Sequence, residues 1–298
     1  MQGQRRIAIT GVTGFIGRGL PVMLGERGVS VTGICRSGVG TVPGVDDWQS
    51  TAALDLAGHE VVVNLAGEPI AKRWTPENRR RFHESRVGLT RRIVEAMAAL
   101  PDDQRPRVLV NASAVGIYGD RGDEVLTESS APGSGYLAEL CHEWENEACK
   151  AEALGVRVVR LRTGIVLGRE GDAFRKLVTV FKCGIGGRLG NGRQWMPWIH
   201  IDDQRAAIVH AAFSDTLTGA ANLSAPAPER NRDFTRKFAA AVHRPALFPV
   251  PGFALKLALG GFGGALLEGQ RALPAALEAD GFKFRFPTLE SALADLLR

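Results

Sequence analysis

Short runs of aliphatic residues alternate with helix-length amphipathic stretches through the first two thirds of the chain. Residues 6–10, 30–35, 60–65, 108–113 and 156–162 read as strands, near-continuous apolar runs of the kind buried on both faces of a parallel sheet. Between them, apolar positions recurring three and four apart predict helices over 15–25, 76–100 and 136–154. Thr75-Pro76-Glu77 marks one helix start, with a hydroxyl at the N-cap, proline at the first helical position and an acid in the first turn. Strand and helix exchanging in this order predict βαβ units, and so an α/β fold built on a doubly wound parallel sheet. After about residue 168 the rhythm becomes irregular. The segment 184–198, rich in Gly, Arg and Trp, reads as a long functional loop or small lobe, and the tail from about residue 248 as a helix-and-turn unit ending in a capped amphipathic helix over 288–297. The expected division is a main domain over 1–168 with a returning segment at 199–225, and a small C-terminal lobe made of 169–198 and 226–298.

Composition narrows this picture without changing it. With 298 residues, 45% hydrophobic and 23% charged, the chain is outside the disordered and collagen-like classes. Its 37 Lys and Arg against 32 Asp and Glu give a net charge of +5, dispersed between apolar segments, which suits an anionic small ligand as well as nucleic acid, and the motifs below leave no nucleic-acid partner expected. The densest cluster, Arg79, Arg80, Arg81, Arg86, Arg91 and Arg92, reads as a solvated helix face, the alternative being a phosphate-facing role for one or two of these arginines. Cys35, Cys141, Cys149 and Cys183 are too few and too scattered for a disulfide framework, and reduced thiols point to a cytoplasmic protein. The apolar run at 7–9 comes too early to leave room for a signal segment. The late apolar stretch 253–267 holds Lys256 and is too short to span a bilayer, so no membrane partner is expected.

The first strand runs directly into Gly11-Val12-Thr13-Gly14-Phe15-Ile16-Gly17 and then into a helix, the context that a dinucleotide fingerprint requires. One glycine makes the tight turn, one lets the backbone approach a pyrophosphate, and one packs helix against strand. The loop residues Gly11, Thr13, Gly14, Phe15, Ile16 and Gly17 are therefore the candidate cofactor cradle of a Rossmann-like domain. Cofactor choice is read at the end of the second strand, Gly33-Ile34-Cys35-Arg36-Ser37. Arg36 supplies a fork of donors suited to phosphate, with Ser37 as a neighbouring hydroxyl, which favours NADP(H) over NAD(H).

The chain resembles the extended short-chain dehydrogenase/reductases of the NAD-dependent epimerase/dehydratase superfamily. Within them it is most similar to an atypical branch described as nucleoside-diphosphate-sugar epimerases, one bacterial member of which is linked to cell-division inhibition. The resemblance is carried by Gly11–Gly17, Val63-Asn64-Leu65-Ala66-Gly67-Glu68-Pro69-Ile70, Ser85-Arg86-Val87, Ser113 through Asp120, Trp195-Met196-Pro197-Trp198-Ile199-His200-Ile201-Asp202-Asp203, and Gly281-Phe282-Lys283-Phe284-Arg285-Phe286-Pro287-Thr288. These motifs include the branch's C-terminal domain of unknown function. The resemblance implies that Leu65, Ala66 and Gly67 line the cofactor at the end of a central strand, and that Arg86 and Arg162 reach the dinucleotide. Better-known members usually carry Asn where this chain has Arg86.

The superfamily's chemistry uses a tyrosine whose phenol is acidified by a lysine one helical turn later, with a Ser or Thr hydroxyl polarising the substrate. The candidates are Tyr136 and Ser113. Four residues after Tyr136 stands Leu140, so there is no Tyr-x-x-x-Lys. Lys150 lies fourteen residues on, roughly 21 Å along a helix axis, and is no local substitute. The family serine stands four residues before a Tyr-Gly pair. Ser113 stands five before Tyr118, where strict spacing selects Ala114, and a bulge would be needed to present Ser113.

On the substrate side, Gly187 through Trp195 combines flexible backbone with Arg188, Arg193 and Trp195, suited to an anionic or aromatic ligand. His200, Asp202 and Asp203 read as a helix cap, and no metal is expected. The leading expectation is an NADP-binding oxidoreductase or epimerase acting on a nucleotide-sugar or another small carbonyl or alcohol compound. The alternative is a non-catalytic NADPH-binding regulator with a protein partner. The expected partners are otherwise a small-molecule substrate and a second copy of the chain as a candidate homodimer.

Overall fold

The computed structural model describes residues 5–298. Strands β1 (Arg6–Thr10), β2 (Ser30–Cys35), β3 (Asp47–Ser50), β4 (Val61–Asn64) and β5 (Val108–Ala114) come first; after the two-residue β6 (Val125–Leu126), β7 (Arg157–Thr163) rejoins them. Beyond the short strands β8 (Ile165–Leu167), β9 (Trp195–Met196) and β10 (Trp198–His200), β11 (Gly219–Leu223) closes the far edge. The seven-stranded sheet has the order β11-β7-β5-β4-β1-β2-β3, and every pairing in it is parallel. The order reverses beside β1, which places a crevice at the carboxyl ends of β1 and β4.

Helices cover both faces, because strand alternation sends apolar side chains both ways. Ile7, Ile9, Val61, Val63, Val108, Val110, Val159 and Leu161 face α1 (Leu20–Gly25) and a later helix described below, while Ala8, Val62, Leu109 and Val158 face the opposite helical layer. That opposite layer begins with α2 (Pro76–His83) and α3 (Leu89–Ala98), followed by α4 (Tyr136–Cys149). The Thr75 hydroxyl accepts from Asn78 N at 3.2 Å, as the helix-start pattern predicts.

Two helical expectations change in detail. The stretch 15–25 is a 3-10 turn over Gly17–Gly19 before α1, and the single helix expected over 76–100 is interrupted by a π-helical turn at Glu84–Gly88. The Glu84 carboxylate folds back over the bare Cα of Gly88 within this turn.

After β8, α5 (Asp172–Lys182) leaves the sheet for the lobe and α6 (Ile201–Phe213) returns beneath it. The strands β12 (Glu229–Arg230) and β13 (Arg271–Ala272) pair with β9 and β6. The lobe is completed by α7 (Asn231–Ala241), α8 (Gly252–Leu259), α9 (Gly261–Ala265), α10 (Ala275–Ala279) and α11 (Leu289–Leu296). Its core is a separate aromatic cluster of Phe174, Phe181, Trp198, Phe234, Phe238 and Phe286. Asp203 on α6 fastens the C-terminal segment by accepting from Arg285 N at 2.8 Å and Phe286 N at 2.9 Å. His200 caps α6, its Nδ1 accepting from Asp202 N at 3.1 Å.

Near the carboxyl ends of β5 and β7 the interior turns polar. Glu145 on α4, 3% exposed, receives Ser113 Oγ at 2.7 Å and both arms of Arg162 at 2.9 Å. Arg162 also donates to the Tyr118 hydroxyl at 2.9 Å, which donates in turn to Asn222 Oδ1 on β11 at 2.7 Å. Burial opposes the Arg162 charge, but the Glu145 carboxylate more than offsets it and raises the guanidinium pKa. Glu145→Ala leaves Arg162 buried without its counter-charge, and should cost about 3–5 kcal/mol in urea unfolding.

Candidate functional site

The fingerprint loop is built for close approach. Gly11 has φ +69°, and a Cβ there would stand 2.8 Å from the Leu65 carbonyl carbon and 2.9 Å from Ala66 N. A Cβ on Gly17 would fall 2.4 Å from Gly11 O, so the turn closes only because both positions are bare. Thr13 and Gly14 remain exposed, which leaves the turn open to the solvent side where a pyrophosphate would approach. Phe15 turns its ring away, against Gly168 and Gly171, so only its backbone belongs to the cradle. Arg205 on α6 braces the loop from below, donating to Phe15 O at 2.8 Å and Ile16 O at 3.1 Å.

Beneath the crevice, Thr10 Oγ1 donates to Asn64 Oδ1 at 2.6 Å, and Asn64 Nδ2 donates to Thr90 Oγ1 and Asn111 Oδ1 at 2.9 and 2.7 Å. This fully buried cluster fixes the ends of β1, β4 and β5 relative to α3. Leu65, Ala66 and Gly67 emerge from it as partly or fully exposed wall. The π-helical turn then aims two side chains at that wall: Ser85 Oγ accepts from Glu68 N at 2.9 Å, and the Arg86 guanidinium lies against Gly67. Arg86 has no carboxylate partner among the described residues; it stacks over Trp144 at 5.4 Å, and burial lowers its pKa. Arg36 is exposed at the end of β2 beside Ser37 and also has no carboxylate partner among the described residues. Ser37 Oγ donates to Val39 O at 2.8 Å.

The arginine-rich face sorts itself by partners. Arg81 pairs with Glu77, Arg92 with Glu84 and Arg91 with Glu147, whereas Arg79 lies over the Tyr136 ring at 4.4 Å. Tyr136 opens α4 after Gly135, whose φ of +99° makes the sharp entry. Its ring packs on Trp74 at 5.0 Å, and its Oη is buried with no hydrogen-bond partner among the described residues. Burial pushes the phenol up, against the pull of Arg79 and Arg86. The position of the missing lysine, Leu140, is buried among Phe82, Val87 and Trp144. Cys141 is no substitute base, since burial pushes its thiol up to about 12.

Two of the candidate residues lie on the helix side of the sheet. Ser113 shares its strand face with Asn111 and points into the helical layer, its hydroxyl committed to Glu145, with no bulge to present it. Arg162 lies on that same inward face and is likewise held by Glu145 rather than reaching the crevice. Alternation along the strands decides both outcomes.

Over the loop that follows β5, Trp195 donates from Nε1 to Asp123 Oδ1 at 3.0 Å, and the Arg230 and Arg271 guanidiniums lie 4.7 and 4.6 Å from its ring. Asp123 pairs with Arg230 at 2.6 Å, and the indole and guanidinium contacts lower its pKa. Arg271 has no carboxylate partner among the described residues, and its Nε is buried without a hydrogen bond. Arg193 joins this cluster, its carbonyl accepting from Arg230 at 2.8 Å. Arg188 does not: its side chain stands in a separate groove with Arg232, Arg236 and Arg244. Asp123, Arg230 and Arg271 carried no local motif, and only the fold brings them to Trp195. Among the described residues no group of three metal-ligating side chains comes together.

The model of the NAD dependent epimerase/dehydratase family matches residues 7–219. The chain belongs to this family. A domain of unknown function, DUF1731, matches residues 250–296. The chloroplastic homolog of epimerase family protein SDR39U1 in Arabidopsis thaliana is 36% identical over 310 residues, covering 100% of this chain and 88% of its own. An epimerase family protein of Mycobacterium bovis is 38% identical, covering 96% of each. The crystal structure of human epimerase family protein SDR39U1 with NADPH superposes with a TM-score of 0.88 at 32% identity, over 98% of both chains.

The geometry gives Ser113 a structural role. Ser113→Ala should lower stability by about 1.5–3 kcal/mol, the range for a hydrogen bond to a charged group, and leave dinucleotide affinity unchanged in calorimetry; a loss of affinity would return the hydroxyl to the site.

Proposed function

We propose that this protein is an NADP(H)-dependent oxidoreductase that reduces a small anionic carbonyl compound, a nucleotide-sugar being the leading candidate, with Tyr136 as a neutral proton donor. The observation that carries the reading is the unpartnered Tyr136 Oη, buried beside Arg79 and Arg86, the second of which lies against the wall residue Gly67. The glycine cradle fits a dinucleotide, and Arg36 offers donors for an added ribose phosphate. The human relative solved with NADPH supports that choice. A Corynebacterium glutamicum relative described as a nucleoside-diphosphate sugar epimerase is 34% identical with a TM-score of 0.79, covering 98% of this chain and 58% of its own, and supports the substrate class. Trp195, with Arg193, Arg230 and Arg271, offers an aromatic platform and cationic charge for such an anion.

Bound reduced nicotinamide supplies hydride to the carbonyl carbon. The phenol holds its proton at Oη and releases it to the carbonyl oxygen as negative charge develops there. Arg79 and Arg86 stabilise the phenolate left behind until solvent restores the proton. Taking a proton from an alcohol is a poorer task for this residue: it lacks the lysine, and burial holds it neutral. The site therefore favours reduction over the oxidation that an epimerase cycle needs.

The alternative of a non-catalytic, cofactor-binding regulator draws on the buried Leu140 and the committed Ser113. Turnover separates the two readings. Tyr136→Phe should reduce kcat roughly a hundredfold or more with an unchanged NADPH Kd, and equal turnover would exclude the phenol as donor. The wild-type rate should hold level through neutral pH and fall only as pH climbs past the ordinary tyrosine range, because the raised phenol must stay protonated. A rate that instead rises with alkalinity would mark a tyrosinate base. Arg36→Ala should weaken NADPH roughly tenfold to a hundredfold, the loss of charged hydrogen bonds, and leave NADH binding unaltered.

A further inference from the structure

From Phe234 to Leu267 the chain carries no Asp or Glu, while Arg236, Lys237, Arg244 and Lys256 fall within it. The structure exposes apolar side chains in this acid-free stretch to an unusual degree. No residue of α8 is buried, Phe253 and Leu257 stand one turn apart at 75% and 76% exposure, and Leu247 and Phe248 precede them at 73% and 72%. Ile185, at 68%, adds to the set next to Gly186 and Gly187, and a Cβ on Gly187 would meet Phe248 O. Exposed large side chains gathered in this way mark an interaction surface.

The charge beside them specifies the partner. Leu247 and Pro249 border the groove lined by Arg188, Arg232, Arg236 and Arg244. Asp233 is shared by Arg232 at 3.5 Å and Arg236 at 3.3 Å. Arg188 donates to Asn191 O, and Arg244 to the carbonyls of Lys182 and His243; neither has a carboxylate partner among the described residues. Four guanidiniums thus face one carboxylate, with Arg188 and Arg244 available to an outside anion. A second copy on this face would bring the same cationic groove onto itself across a two-fold axis, which like charge opposes. A free phosphate would satisfy the arginines and leave the apolar strip unexplained.

We propose that residues 247–257, with Arg188, Arg232, Arg236 and Arg244, form a docking site for an anionic phospholipid surface. Phe248, Phe253 and Leu257 enter the headgroup boundary while the arginines bind lipid phosphates. Among the described residues no helix is long and apolar enough to cross a membrane, and this site lies on the bilayer instead.

The test is co-sedimentation of the full chain with phosphatidylcholine vesicles, with and without phosphatidylglycerol. The protein should sediment with the anionic vesicles, less so as salt rises, and stay in solution with phosphatidylcholine alone. Arg188→Ala with Arg244→Ala should weaken partitioning roughly thirtyfold, at about 1 kcal/mol per arginine. Phe253→Ser with Leu257→Ser should weaken it as well, with melting temperatures checked to keep folding separate. Equal binding to both vesicle types, no binding to either, or indifference to both variant pairs would overturn the proposal. So would a vesicle-free dimer abolished by the Phe253 and Leu257 changes, or inorganic phosphate bound in calorimetry by a protein that ignores vesicles.

Discussion

One buried carboxylate organises the carboxyl ends of the central strands. Glu145 has to be paired, because an isolated charge at 3% exposure is not tolerated, and its three partners come from two strands: Ser113 on β5, and Arg162 and Arg160 on β7. Through Arg162 the same charge fixes Tyr118, and through Tyr118 it reaches Asn222 on the edge strand β11. The network ties α4 to the sheet at a set height and so sets where Tyr136, at the start of α4, stands. Holding the helix in this way also removes a serine and an arginine from the crevice.

What remains in the crevice is rich in cations and poor in bases. The π-helical turn brings in Arg86 and Ser85, the preceding helix brings Arg79, and the lysine position is apolar at Leu140. A tyrosine in such a place suits the proposed role of proton donor, with cations beside it. Its acidity is limited by the same burial that leaves its Oη without a partner.

The sheet interior was legible in the sequence because continuous apolar runs, glycine punctuation and the Thr75-Pro76 start are local signals. The edge strands were harder: β3 is Asp-Trp-Gln-Ser, with no apolar run, and β11 follows a break in the rhythm. The fingerprint was legible because its physics sits in three glycines spaced three apart along one short turn. The surroundings of Ser113 and Arg162 were not legible, for the opposite reason. Motif spacing locates a residue along a strand but does not say which face takes it, and there the partner on α4 decided. The six clustered arginines could be sorted only once Glu77, Glu84 and Glu147 were in place beside three of them.

The C-terminal segment joins the two ends of the argument. Phe262 on α9 packs against Trp74, which covers Tyr136, and Arg73 donates to Leu257 O on α8 at 3.1 Å. A Cβ on Gly261 would meet the Trp74 ring at 2.6 Å, so this close approach depends on glycine. The segment's outward face is the apolar strip of α8, and its inward face is part of the wall around the phenol. Whatever orders the strip also bears on Trp74, and hence on the access of water to the Tyr136 hydroxyl. A sequence that is acid-free outside and glycine-rich inside meets both demands within two short helices.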